Sequence, residues 1–154
     1  MKTTDLMDKY EDALTIVNVS EFKRFGRVKA FGGEIVTIRC FEDNTKVKAL
    51  LEKSGEGKVL VVDGSGSYGR ALMGDNVAAI AIENQWEGIL INGYIRDSAD
   101  VDAMNIGVIA LGATPRRPCK GGGGEECVKL EFADATFSPG DFLYAPGLNV
   151  ACLL

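Results

Sequence analysis

The stretch Val59-Leu60-Val61-Val62-Asp63-Gly64-Ser65-Gly66-Ser67-Tyr68-Gly69 decides the class of fold, because an unbroken apolar run stops abruptly at a glycine-rich turn. Four consecutive aliphatic residues leave no face for water, so the run reads as a strand buried on both sides. Downstream, Asp75 is placed to cap a helix running to about Gln85, with Val77, Ile80, Ala81 and Asn84 recurring on its inward side. Ile89-Leu90-Ile91 reads as a second buried strand that ends at Asn92-Gly93. Strand, helix and strand in succession over residues 59 to 91 predict α/β packing.

Working outward, Phe31-Gly32-Gly33 precedes an alternating segment, Glu34 to Cys40, that suits a strand. Asp43 or Asn44 is placed to cap a helix through about Lys53, with Val47, Leu50 and Leu51 inward, and residues 54–58 form a turn. Asp5 to Ala13 predicts a short first helix. Asp97 to Met104 predicts another, followed by a strand from Val108 to Leu111. Gly121 to Gly124 must be a loop, mobile or tightly wound, since neither helix nor strand favours four glycines. Val128 to Phe132, Phe142 to Ala145 and Val150 to Leu153 supply short strands, with a turn at Pro139-Gly140-Asp141. No repeat or linker divides the chain, so residues 1–154 are expected to form a single domain.

Composition narrows the chemistry. The chain has 154 residues, 46% of them hydrophobic and 25% charged, which suits one ordinary core. A net charge of -5 opposes a general nucleic-acid surface, and the short cluster Arg116, Arg117 and Lys120 reads as a solvated loop or an anion contact. No apolar run approaches the ~18 residues of a membrane span, and Met1 to Asp5 lacks an apolar signal segment, so a cytoplasmic setting is expected. Cys40, Cys119, Cys127 and Cys152 are irregularly spaced and read as reduced thiols. The chain has no histidine, which excludes Ser-His-Asp and Cys-His nucleophile systems and His-ligated metals. Any catalysis must use carboxylates, Arg, Lys, Tyr, backbone amides or a hard metal ion.

Residues 64–69 fit GxGxxG after a strand, the pattern that brings backbone amides against a pyrophosphate. Two departures oppose a dinucleotide site. Gly74 interrupts any helix begun at Gly69, and the acids Glu83 and Glu87 fall in or after the helix instead of ending the next strand. The glycines otherwise make a tight turn, or border a small-anion site where the amides after Gly74 open a helix. Arg96 and Asp97 follow the second buried strand, where open α/β sheets bind ligands. Arg96 offers a bidentate fork for a carboxylate, and Asp97 a hard oxygen for magnesium or manganese. The same two residues would also make an ordinary surface ion pair. Asp100 can share a helical face with Asp97, while Asp102 points elsewhere.

The chain resembles the regulator of ribonuclease activity A family, also called the class II 4-hydroxy-4-methyl-2-oxoglutarate aldolase family, over nearly its whole length. The resemblance rests on Phe31-Gly32-Gly33, Cys40 to Asn44, Gly57 to Gly64, Arg70 to Asn76, Trp86-Glu87-Gly88, Asn92 to Asp97, Ile106-Gly107-Val108 and Gly140 to Ala145. It implies an α/β fold, a swivelling β/β/α domain with a central mixed sheet or barrel-like core, assembled as a homotrimer with sites between subunits. The aldolase branch carries Asp, twenty residues, Arg-Asp and a further acid, matched here by Asp75, Arg96, Asp97 and Asp100.

By that resemblance Arg96 grips the substrate carboxylate and Asp97 binds a divalent cation, Mg2+ before Mn2+. Asp75 and Asp100 support the metal's waters, and the amides of Leu72, Met73, Gly74 and Asp75 hold a substrate carboxylate. Lys120 sits where a basic residue would touch substrate. The implied activity is aldol cleavage of 4-hydroxy-4-methyl-2-oxoglutarate or a related 4-hydroxy-2-oxo acid to pyruvate, with oxaloacetate decarboxylation. The alternative is a regulator that binds a ribonuclease E-type or helicase partner, a branch lacking the Asp after the Arg. Asp97 therefore favours chemistry. Two departures stand out: longer aldolases continue into a tail bearing an acid, and Ala145 to Asn149 lacks the family's Ala-Asp-x-Asp-Gly acids.

Overall fold

The computed structural model describes Asp8, residues 14–147 and residues 150–154. The short helix expected from Asp5 to Ala13 lies almost wholly outside the described residues. Four parallel strands form the centre: β3 (Phe31–Arg39), β4 (Lys58–Asp63), β5 (Gly88–Ile95) and β6 (Val108–Ala113). Antiparallel strands flank them: β1 (Thr15–Ile16), β11 (Val150–Leu153) and β10 (Phe142–Gly147) beyond β3, and β2 (Lys23–Phe25) beyond β6. The order is β1-β11-β10-β3-β4-β5-β6-β2, with β7 (Glu125–Glu126) also on β3, and a separate hairpin of β8 (Leu130–Phe132) and β9 (Ala135–Phe137). The result is a mixed, curled, half-barrel-like sheet with few helices, the fold class expected.

The central strands are buried on both faces, which is why their sequences are apolar throughout. Leu60 and Val62 of β4 face one cluster with Ile89 and Ile91 of β5, while Val59, Val61 and Leu90 face the other. On the first face lie α1 (Thr45–Leu51), through Val47, Leu50 and Leu51, and α2 (Asp75–Glu83), through Val77, Ala78 and Ala81. On the second, the β8–β9 hairpin brings Leu130 and Phe137, joined by Val17, Phe22, Phe31 and Leu143. A third helix, α3 (Ser98–Asp102), follows β5. Each helix thus emerges at the carboxyl end of a parallel strand and turns back across the sheet, so the strand-to-helix corners gather at one edge.

Several boundaries differ from the sequence reading. Phe31-Gly32-Gly33 belongs to β3, because Phe31, Gly32 and Gly33 pair with Ala145, Tyr144 and Leu143 of β10. β5 does not stop at Asn92-Gly93. It shifts register between Ile91 and Tyr94, then continues as Tyr94 and Ile95 pair with Gly112 and Ala113 of β6. Asp75 is the first residue of α2 and Gly74 takes the cap position, so the carboxylate is a first-turn group. Asn44 is the cap of α1 without a side-chain bond, whereas the Asp43 carboxylate accepts the Thr45 amide at 2.9 Å.

The Gly121–Gly124 segment is a tightly held loop. Asp43 Oδ2 accepts the Gly121 amide at 2.7 Å and the Gly123 amide at 3.3 Å, Thr45 Oγ1 accepts from Gly122, and Lys46 donates to the Gly124 carbonyl.

Candidate active site

Residues 71–73 create the site by running beside the end of β5. The Leu72 amide donates to the Tyr94 carbonyl at 2.9 Å, Met73 bridges Ile95, and the Arg96 amide donates to the Met73 carbonyl at 2.7 Å. This short parallel ladder brings the start of α2 against the residues that follow β5. Leu72 and Met73 themselves are buried in the core, and the Leu72 amide is spent on the ladder. Of the amides expected to hold a carboxylate, that of Leu72 is thereby taken, which leaves those of Met73, Gly74 and Asp75.

A cleft of about 200 Å³ opens at this junction, lined by Asn44 and Lys48 of the α1 segment, Gly74 to Val77 and Ile80 of α2, Arg96, Asp97, Pro118 and Lys120. Of the sequence-selected residues, Gly74, Asp75, Arg96, Asp97 and Lys120 come together here. Asp100 does not line this cleft. It borders a shallower neighbouring depression with Asp97, Thr114 and Pro115, so Asp97 is shared by both. Asp102 points away, accepting the Gly26 amide at 3.1 Å.

Asp97 is held in an unusual backbone state. Its φ of 49° and ψ of 42° lie in the left-handed region, which Asp tolerates better than most residues and which marks a position constrained by its surroundings. A Cβ on Gly74 would stand 2.8 Å from Asp97 Oδ2, closer than side-chain atoms approach. A larger residue at 74 would push the Asp97 carboxylate aside, while the backbone itself makes no demand for glycine, since its φ of -127° is ordinary. Arg96 and Asp97 do not pair with each other, because the ion pair found among the described residues is Arg39–Glu125. The surface-pair reading of Arg96-Asp97 does not hold.

The GxGxxG turn is no part of the cleft. Five of its six amides have acceptors within the protein: those of Gly64 and Gly66 donate to the Asn92 carbonyl, Ser65 to Asp63 Oδ1, Ser67 to the Gly64 carbonyl and Gly69 to Ser67 Oγ. A Cβ on Gly69 would run into the Glu42 carboxylate, so close packing accounts for that glycine. The one amide left over, that of Tyr68, is too few to cradle a pyrophosphate.

Asn44, Lys48, Asn76 and Pro118 line the cleft without having been singled out in sequence. Asn76 simply follows Asp75 in α2, while nothing in spacing marks the other three, which reach the cleft through the packing of α1 and the 118–124 loop. The two buried thiols, Cys40 and Cys152, are poor nucleophiles. Burial, with Asp43 and Asp63 nearby, pushes the Cys40 thiol up to about 12, and burial also raises Cys152. All four cysteines are free.

For a metal, no group of three or more His, Cys, Asp or Glu residues gathers among the described residues. Asp97 and Asp75 nonetheless share one cleft, and the bare backbone of Gly74 leaves the Asp97 carboxylate room. One or two carboxylates is the usual protein share for magnesium, with waters and substrate oxygens completing the shell. This donor set fits such an ion and would not suit a soft or imidazole-seeking one.

A family model described as RraA-like, Aldolase/RraA, matches residues 3–147. A Vibrio cholerae protein named "Putative 4-hydroxy-4-methyl-2-oxoglutarate aldolase" is 48% identical over 143 residues, 93% of this chain and 88% of the relative. The crystal structure of the S-adenosylmethionine: 2-dimethylmenaquinone methyltransferase from Geobacillus kaustophilus superposes with a TM-score of 0.94 at 42% identity, covering 99% of this chain and 94% of that one. The RNA-processing inhibitor RraA from Thermus thermophilis gives the same TM-score at 40% identity, with 100% and 92% covered.

Proposed function

The chain belongs to the RraA-like Aldolase/RraA family, and from that premise we propose that it is a divalent-metal-dependent lyase. Its substrate is 4-hydroxy-4-methyl-2-oxoglutarate or a related 4-hydroxy-2-oxo acid, cleaved to pyruvate, and it also decarboxylates oxaloacetate. The observation that carries this reading is the placement of Arg96 and Asp97 against Gly74 and Asp75 in one small cleft at the carboxyl end of β5.

The chemistry follows from the groups present. The Arg96 fork and the Gly74–Asp75 segment orient the C1 carboxylate and C2 carbonyl, which fixes the C3–C4 bond for cleavage. The C4 hydroxyl gives up its proton to a water held by Asp75, or by Asp100 from the adjoining depression, since no histidine exists to take it. As the C3–C4 bond breaks, its electron pair moves onto the pyruvyl fragment and negative charge grows at the C2 oxygen. Arg96 places positive potential near that oxygen. A cation held by Asp97, Mg2+ or Mn2+, would supply Lewis-acid stabilisation of the same charge. C3 then recovers a proton to give pyruvate. Loss of carbon dioxide from oxaloacetate leaves the same charge on the same oxygen.

We further propose that the chain works as a homotrimer in the cytoplasm; no helix among the described residues is long and apolar enough to cross a membrane. The test of activity is pyruvate release from 4-hydroxy-4-methyl-2-oxoglutarate and from oxaloacetate in defined magnesium, with and without chelator. Release that chelation abolishes is expected; no release from either acid overturns the reading. A second reading, a protein-binding regulator of ribonuclease E-type RNA degradation, is favoured by the likeness to the Thermus inhibitor. Capture of a ribonuclease or helicase component by a chain inactive on both acids would establish it.

A further inference from the structure

The chemistry above gives the proton of the C4 hydroxyl to water but gives the C4 oxygen no side chain. One buried side chain in the cleft has no task. Asn44 is 5% exposed and lines the cleft, one of three polar or charged residues buried among those described. The other two are committed within the protein. Thr37 donates to the Val128 carbonyl, and Asp43 accepts from Thr45, Gly121 and Gly123. The Asn44 carboxamide has no hydrogen-bond partner among the described residues. No polar side-chain atom among them is both sealed from solvent and unpartnered, so the little surface that Asn44 keeps includes its carboxamide, and the cleft is where it opens.

An asparagine at the start of a helix ordinarily caps it by accepting an amide two or three residues on. With φ of -108° and ψ of 14°, Asn44 makes no such bond, and the neighbouring Asp43 takes the Thr45 amide instead. The backbone holds Asn44 in place from both sides. Its amide donates to the Cys119 carbonyl, its carbonyl accepts the Lys48 amide, and the Cys119 amide returns to the Glu42 carbonyl. Burial alone would raise the Asp43 carboxyl, but the donors of Thr45, Gly123 and Gly121 outweigh it and hold the group below the ordinary range, which keeps this strap charged and closed. A carboxamide buried without a partner is costly. Nothing in the fold offsets that cost, whereas a ligand in the cleft would.

The sheet order β3-β4-β5 sets the start of α2 between Asn44, which follows β3, and Arg96, which follows β5. A substrate held at C1 by Arg96 therefore extends across α2 toward Asn44. Lys48 and Lys120 are charged and suit anions. A carboxamide is neutral and donates through Nδ2 to a neutral oxygen. On a 4-hydroxy-2-oxo acid, the neutral oxygen beyond the C3–C4 bond is that of the C4 hydroxyl.

Resting on the reading of this cleft as a 4-hydroxy-2-oxo-acid site, we propose that Asn44 is a catalytic residue, donating from Nδ2 to the C4 oxygen, and that it separates aldol cleavage from decarboxylation. In cleavage that oxygen loses its proton to water, keeps the O–H electron pair and becomes the carbonyl of the departing fragment. The C3–C4 pair goes to the pyruvyl fragment. A donor at the C4 oxygen stabilises the charge that gathers there before the bond breaks. In oxaloacetate C4 is the carboxylate that leaves as carbon dioxide. A donor there would stabilise charge that the reaction removes, so its loss does not slow that step.

Asn44→Leu, close in shape and without polar atoms, tests this. Pyruvate release from 4-hydroxy-4-methyl-2-oxoglutarate falls about a hundredfold in kcat/KM, the scale of removing one donor from a developing oxyanion, while oxaloacetate decarboxylation in the same magnesium buffer stays within about threefold. The thermal midpoint does not fall, because an apolar group of similar size replaces a carboxamide that had no partner. A carboxamide that served the fold would cost midpoint and both activities together. Calorimetry under chelator, where neither acid is consumed, adds a readout without turnover. The native chain binds 4-hydroxy-2-oxoglutarate about tenfold tighter than 2-oxoglutarate, which differs from it by the hydroxyl alone, and Asn44→Leu binds the two equally. Should Asn44→Leu lose its thermal transition, Asn44→Ala is read in the same assays. Undiminished aldol cleavage, or equal losses on both substrates, overturns the assignment. A native chain that releases no pyruvate from either acid sinks the lyase reading, and calorimetry then decides Asn44 by itself: a hydroxyl preference that Asn44→Leu removes upholds the contact, and equal native affinities overturn it.

Discussion

Two glycine-marked corners sit at neighbouring strand ends, and they do opposite things. The corner after β4, Gly64 to Gly69, has the more familiar sequence, yet five of its six amides are bonded to Asn92, Asp63, Gly64 or Ser67. The corner at Gly74 has no motif, yet it meets Arg96 and Asp97 in one cleft, with the Asp97 carboxylate close against its bare backbone. A glycine pattern reports where the backbone turns tightly. Whether the turn binds anything depends on which donors and charges remain uncommitted after folding.

Substitutions at the two corners can break this contrast. Asp97→Ala should have the largest effect, lowering magnesium-dependent pyruvate release by about a thousandfold, the scale of losing a group that stabilises transition-state charge. The thermal midpoint should fall only slightly, since Asp97 is exposed and unpaired among the described residues and the loss is limited to what alanine costs in its left-handed backbone. Undiminished release would remove the site from this corner. Gly74→Ala should cost about a hundredfold in kcat, because its Cβ displaces the Asp97 carboxylate by a fraction of a bond length or more.

Arg96→Lys should come next, raising KM about tenfold with a smaller change in kcat, since an ammonium replaces one point of a two-point fork. Gly66→Ala sharpens the comparison from the other side. With φ of +70° it should destabilise the fold by about 1–2 kcal/mol in a denaturant melt, with KM unmoved. The smallest effect concerns pH. The Asp43 carboxyl lies below its unfolded value, so its contribution is fully present above the ordinary carboxylate pKa of about 4 and fades as pH falls through the lower folded value. Amide exchange at Gly121 and Gly123 should therefore stay slow through neutrality and quicken only in acid, once the expected pH dependence of exchange chemistry is removed.

Much of the fold was legible because its core is one-dimensional information. The runs 59–62 and 89–91 are apolar on consecutive residues, and the only way to bury both faces is a central strand between two layers. The helix faces at Val47, Leu50 and Leu51 were readable for the same reason. Boundaries were less so: β5 continues to Ile95 because β6 is long enough to pair with it, and β1, β2, β7 and β9 are too short to carry a period. At the site, Arg96 and Asp97 were conspicuous as opposite charges directly after a buried strand. Lys48 looked like any lysine on a solvated helix, and Asp43 like a helix cap.

Sequence alone therefore determined the layer architecture, the exclusion of histidine chemistry and the pair of residues at the end of β5, since each depends on composition or local period. Tertiary structure alone decided which corner is open. The ladder between residues 71–73 and β5, the tying of Gly64 and Gly66 onto Asn92, and the strap from Asp43 to Gly121 all join residues far apart in the chain. Hydrogen bonds of that kind have no period to read. They consume or free the same donors according to what the fold brings within 3 Å.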